Sequence, residues 1–209
     1  MRVPYRYPGS TNTQLVDIYT RLFFERIVFL DSAIDANLAN FIVSVLLHLD
    51  AEDSSKPISL YINSPGDVAM MGAGASVAAG LAIYDTMQQV KAPIHTICLG
   101  MAAGTAVMLL SSGTKGYRAC LPHAELVLNP FYTGTRGQAT DIQILANKVL
   151  QDKSIVLDIF AKNTGQAVER LDKDTDRRLY LSPQEAKDYG LVDHILRSHK
   201  IDALAATAS

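Results

Sequence analysis

The stretch Ile94–Leu110 constrains the fold of this 209-residue chain more than any other. Ile94–Leu99 is apolar and strand-like, Gly100 is expected to open a turn, and Ala102–Leu110 reads as a buried helix. A strand that runs straight into a buried helix calls for strands and helices layered over one core. The turn is built like a nucleophile elbow, which holds one side chain and the N–H groups after it at the start of a helix. The residue at its tip is Gly104, which has no side chain to present.

Strand and helix signals alternate on both sides of this turn. Arg26–Leu30 and Ile58–Asn63 read as strands. Asp35 caps a helix with Leu38, Ile42, Val45 and Leu49 on its apolar face. Residues 53–57 form a turn, Ser64-Pro65-Gly66 ends the second strand, and a Gly/Ala-rich helix runs to about Val90. Tyr117–Cys120 and Glu125–Leu128 read as short strands. Ser182–Arg197 reads as a capped helix followed by a strand, Leu191–Leu196. Residues 1–20 are expected as an extended arm, 21–197 as one domain, and 198–209 as a frayed tail.

The longest periodic segment is Gln138–Asn163, with Ile142, Leu145, Val149, Val156 and Phe160 on one face and Thr164-Gly165 as its stop. At ~1.5 Å per residue it is about 40 Å long, more than a domain of this size can cover. It is expected to pack on another subunit.

Composition removes several classes of function. Hydrophobic residues are 48% and charged residues 19%, so the chain is globular. Net charge is −2 with no basic stretch, which argues against nucleic acid as a partner. No apolar run nears the ~20 residues of a membrane span. Residues 1–9 lack the apolar core of a signal peptide. Cys98 and Cys120 lie in apolar runs and read as buried, reduced thiols, consistent with a reducing compartment. His48, His95, His123, His194 and His199 show no metal-ligand spacing, and no cofactor is expected.

Several stretches together resemble the proteolytic subunit of the ATP-dependent Clp protease: Tyr61–Gly66, Ile83–Met87, Gly100–Leu110, Gly137–Ile142 and Tyr189–Asp193. The similarity runs from about Val3 to Ile195. It implies an α/β layered fold of repeated β-β-α units, ClpP- and crotonase-like, with a protruding handle helix over about 130–163 and an axial N-terminal arm. It also implies a serine peptidase of two stacked heptameric rings, fed by an AAA+ unfoldase.

Such a peptidase needs a Ser nucleophile, a His base and an Asp that orients the His. Carried over residue by residue, the Ser falls on Gly104, the His on Asn129 and the Asp on Arg178. Glycine has no nucleophile, an amide takes no proton at neutral pH, and a guanidinium is a permanent cation where a carboxylate is required. Losing one triad member costs on the order of 10⁴-fold in rate. The oxyanion turn, Ser-Pro-Gly-Gly in the family, here reads Ser64-Pro65-Gly66-Asp67, and a carboxylate opposes the charge that must develop there. Between Val68 and Gly80 the chain is about eight residues longer than the family pattern, roughly two helical turns near Ala69–Ser76, expected to obstruct or reshape the cleft.

This combination resembles the ClpR type, silent paralogues that co-assemble with active ClpP-type subunits in cyanobacteria and plastids. The resemblance implies ring-to-ring contacts at Gly134, Gly137, Gln138, Asp176 and Arg177, with the second ring met through the handle. It implies weaker unfoldase docking, because Tyr61 is kept while aromatic positions fall on Ser59 and Gln89. Ser111 and Ser112 read as structural hydroxyls, and Ser76 is the other serine that could approach the cleft. Two other functions stay open: a crotonase-like acyl-CoA enzyme using Asp67 as acid or base, and a residual peptidase with an unrecognised nucleophile.

Overall fold

The computed structural model describes residues 1–6, 9, 11–67, 77–130 and 137–196. Two short strands, β1 (Arg2–Arg6) and β2 (Thr13–Asp17), pair antiparallel and lead into α1 (Ile18–Phe24). The first residues, expected as an extended arm, are thus extended but folded back as a pair. Tyr5 stacks on Phe24 at 4.8 Å and the Arg21 guanidinium lies 5.0 Å from the Tyr5 ring centroid, which seats the pair on α1.

The main unit alternates strand and helix: β3 (Ile27–Leu30), α2 (Ala36–Glu52), β4 (Ile58–Ser64), α3 (Ala78–Gln89), β5 (Ile94–Ala103) and α4 (Thr105–Ser111). A β-β-α step follows, with β6 (Arg118–Cys120), β7 (Glu125–Leu128) and α5 (Ala139–Thr164). The chain then adds α6 (Val168–Asp174), β8 (Leu179–Leu181), α7 (Pro183–Tyr189) and β9 (His194–Ile195). Among the described residues one sheet runs β3-β4-β5-β6-β9, all parallel, with β7 parallel to β5 and antiparallel to β8. This is the α/β layered fold that the sequence implied.

A parallel sheet must be covered to keep its apolar strands from water. Ile58, Leu60 and Ile62 of β4 are fully buried and join Ile42, Leu46 and Leu49 of α2 and Ile83 of α3 in one core. Asp35 caps α2, accepting from the Leu38 N–H at 2.8 Å. Arg26 enters β3 at φ 60, and its guanidinium donates to the carbonyls of Leu49, Lys56 and Pro57. One buried cation thereby ties the end of α2 and the start of β4 to β3.

Three expected boundaries change. The strand after Ala92 does not stop at Gly100. It continues to Ala103, because Met101–Ala103 change partner from β6 to β7 after a register irregularity between Ile62 and Ser64. The helix therefore starts at Thr105 rather than Ala102. The last strand is His194–Ile195, not Leu191–Leu196: Leu191 and Val192 are buried in the core, but the ladder to Ala119 and Cys120 is made at His194 and Ile195. The long helix is present as expected, closed by Gly165 at φ 77; Ile142 is 42% exposed and burial is confined to Val156, Leu157, Ile159 and Phe160. Its first half projects from the domain.

Candidate functional site

β5 delivers the chain to Gly104 at the carboxyl end of the sheet. The Gly104 N–H donates to the Val127 carbonyl at 3.0 Å. Its own carbonyl accepts from Val107 and Met108 at 3.1 and 3.3 Å and starts α4. Between these two anchors Gly104 adopts φ 55, ψ −123, a left-handed conformation that side-chain-bearing residues rarely hold. Every residue of α4 is buried, so the elbow sits on a fixed platform.

A methyl group added at Gly104 would lie 3.3 Å from Asn129 Nδ2 and 3.8 Å from Asn129 Cβ. Asn129 follows β7 and is half-buried. The β7–β8 register pairs Leu128 with Leu179, so the next step outward sets Arg178 opposite Asn129. Gly104, Asn129 and Arg178 thus gather where β5 and β7 end and β8 begins. The elbow aims its missing side chain at an amide, and an exposed cation stands beyond it.

The turn after β4 lies against the elbow. Gly66 has φ 84, and a Cβ there would fall 2.2 Å from the Ala103 carbonyl oxygen and 3.5 Å from Gly104 Cα. Only glycine allows this approach. The Ser64 hydroxyl donates to the Ser32 carbonyl and accepts from the Gly66 N–H, while the Ile34 N–H donates to the Gly66 carbonyl. Asp67 bridges to Ile34 in parallel register. Burial pushes the Asp67 carboxyl up to about 6, against the Thr105 hydroxyl and the N–H groups of Asp67 and Thr105, which favour its charged form.

Thr105 was not singled out in the sequence, although it directly follows the elbow glycine. Its hydroxyl is buried, has no hydrogen-bond partner at ordinary geometry among the described residues, and would be met at 3.3 Å by a Cβ on Gly80 of α3. Thr105 therefore lies under α3 and offers no accessible nucleophile. Ser111 and Ser112 hydroxyls donate to the Met108 carbonyl and accept from Asn163 Nδ2, a structural use. Ser76 and the stretch Ala69–Ser76 lie outside the described residues, as does Gly134. His95 stacks flat on Tyr117 at 4.2 Å, His48 stacks on Phe23, and His194 is hydrogen-bonded to the Gly116 carbonyl. Among the described residues no group of three His, Cys, Asp or Glu is placed to hold a metal.

The remaining predicted positions are dispersed. Gly137 and Gln138 are exposed at the entry to α5, where the Gln138 carbonyl accepts from the Ile142 N–H. Asp176 and Arg177 are exposed in the turn before β8 and make no ion pair among the described residues. Ser59 and Tyr61 share one face of β4, and Tyr61 stacks on Phe29 at 5.6 Å. Gln89 is exposed at the last turn of α3, in the helix layer. An apolar cavity of ≈ 190 Å³ lies at Phe29, lined also by Tyr19, Phe23, Ile27, Leu38 and Phe41. Phe41, 59% exposed on an otherwise amphipathic helix, is the sequence signal that could have pointed to it.

The Clp protease family matches residues 10–199. The chain is 50% identical over 202 residues to the ATP-dependent Clp protease proteolytic subunit 3 of Parasynechococcus marenigrum, covering 96% of each. It is 50% identical over 195 residues to proteolytic subunit 2 of Prochlorococcus marinus, covering 93% of this chain and 94% of that one. It is 44% identical over 200 residues to proteolytic subunit 1 of Gloeobacter violaceus, covering 96% and 97%. Among the described residues no helix is long and apolar enough to cross a membrane.

Proposed function

We propose, from the premise that this chain belongs to the Clp protease family, that it is a non-catalytic structural and regulatory subunit of a mixed ATP-dependent Clp protease core. One observation carries the reading. The elbow is intact at Gly104, and the side-chain position it presents faces the Asn129 amide 3.3 Å away. A serine there would find no base, because an amide nitrogen has no lone pair free to take a proton. Arg178, opposite Asn129, would repel an imidazolium rather than stabilise it. Binding and oxyanion effects alone would remain.

The role is then architectural. The subunit completes a ring with active ClpP-type paralogues, meets the second ring through α5, and lowers the number of peptidase sites in the chamber. The exposed first half of α5, with Ile144 at 67% and Leu150 at 64%, supports such a contact. The Phe29–Tyr61 stack and its neighbouring cavity support docking of an AAA+ unfoldase, weakened by Ser59 and Gln89. The cyanobacterial relatives support a cytoplasmic setting, or the plastid stroma. A crotonase-like acyl-CoA enzyme would need negative charge to develop beside the elbow, and Asp67 already supplies one there.

The test is serine-directed fluorophosphonate labelling of the complex purified from its own host, read with native mass spectrometry. Label is expected on a partner subunit and absent from this chain. Label on any residue of this chain, or isolation of the chain as a self-sufficient monomer, would overturn the reading.

A further inference from the structure

Asp67 is the acidic group that the degenerate elbow leaves without a task. Gly66 packs against the Ala103–Gly104 peptide, and the next residue, Asp67, is held by its bridge to Ile34. Thr105 is the first residue of α4, so its N–H has no intrahelical acceptor. The N–H groups of Asp67 and Thr105 therefore flank the elbow, where acyl-transfer chemistry places its donors.

The side chains around these donors are unusual. Asp67 Oδ1 and Thr105 Oγ1 are both buried, and among the described residues neither has a hydrogen-bond partner at ordinary geometry. Thr105 is 3% exposed. Among the described residues no ionisable side chain forms an ion pair with the Asp67 carboxyl, and the Thr105 hydroxyl and the N–H groups of Asp67 and Thr105 are the dipoles that favour its charged form. A buried carboxylate without a cation must rely on such dipoles, however imperfect their alignment.

We propose that the Asp67 carboxyl group is an internal occupant of the elbow's anion-receiving turn, lying across the N–H groups of Asp67 and Thr105 and excluding the carbonyl oxygen of a peptide or thioester. The exclusion is double. The carboxyl fills the space, and its charge opposes any oxyanion. This deepens the non-catalytic reading, since it silences the turn independently of the changes at Gly104, Asn129 and Arg178.

The test is a titration of the ¹⁵N-labelled full-length chain between about pH 4 and about pH 8, following backbone amide resonances. The Asp67 and Thr105 N–H signals are expected to shift together with a midpoint near the value of about 6 set by burial. Asp67→Asn and Asp67→Gly each abolish that shift, while the Gly104 N–H, bonded to Val127, keeps its position and reports an intact elbow. Amides of Asp67 and Thr105 that stay still across the range, or that titrate unchanged in either variant, would overturn the proposal. Fluorophosphonate labelling of this chain would sink the non-catalytic reading and leave the titration standing, so the two failures are distinguishable.

Discussion

A methyl group at position 66 would sit 2.2 Å from a backbone oxygen that cannot yield, at a φ of 84. Gly66→Ala is expected to destabilise the chain by about 3 kcal/mol or more, read by urea denaturation. The Cβ of Gly104→Ser would meet Asn129 first, 3.3 Å from its Nδ2. It is expected to cost about 1–3 kcal/mol for its left-handed backbone and to gain no fluorophosphonate label, since no base is supplied. Asp67 and Asp193 give opposite pH signs. Burial raises Asp67 to about 6, so the folded state keeps a proton that the unfolded chain releases near pH 4. Stability from this group therefore falls as pH rises from about 4 to about 6 and is flat above. Asp67→Asn is expected to stabilise the chain by on the order of 2 kcal/mol at about pH 7 and by little at about pH 4. Asp193 is held down to about 2 by its hydrogen bonds with Arg118. Its contribution is complete above about pH 4 and is lost as pH falls towards 2. Arg118 is 3% exposed, so Asp193→Ala would strand a buried cation at a cost of about 3–5 kcal/mol by denaturation.

The long helix divides at its middle. Val156, Leu157, Ile159 and Phe160 anchor it to the core, whereas the residues before about Ile155 carry little burial. Phe160→Ala is expected to cost about 3–5 kcal/mol in the isolated chain. Ile144→Lys and Leu150→Lys are expected to change the stability of the isolated chain by no more than about 0.5 kcal/mol. The same two variants are expected to lower the mass of the assembly measured by sedimentation. The five-residue spread of the anchor was not visible from periodicity, because Ile142, Leu145 and Val149 continue the stripe into the exposed half. Periodicity reports which face is apolar but not whether the cover comes from the same chain.

Across the whole molecule, the sheet order decides which distant residues become neighbours. β7 lies beside the end of β5 and also pairs with β8. Residues 104, 129 and 178 meet because of that double pairing. The proposed degenerate triad, Gly104, Asn129 and Arg178, was legible as three positions aligned to a family pattern. Their convergence on one strand end was not, since it depends on registers between segments far apart in sequence. α6 and β8 were missed for a similar reason: α6 buries only Leu171, and β8 is a three-residue strand that exists through its pairing with β7.

The sequence by itself determined the strand–helix alternation, the Asp35 cap, the Gly165 stop and the absence of a side chain at Gly104. These depend on local periodicity, capping chemistry and residue identity, which act over a few residues. Tertiary structure alone decided where β5 ends, because Gly100–Ala103 extend or turn according to whether β7 is there to pair with them. It alone decided that a glycine at 66 touches the elbow and that the Asp67 carboxyl is buried beside Thr105. A carboxylate's surroundings are set by the elements folded around it, and no property of Asp67's sequence neighbours specifies them.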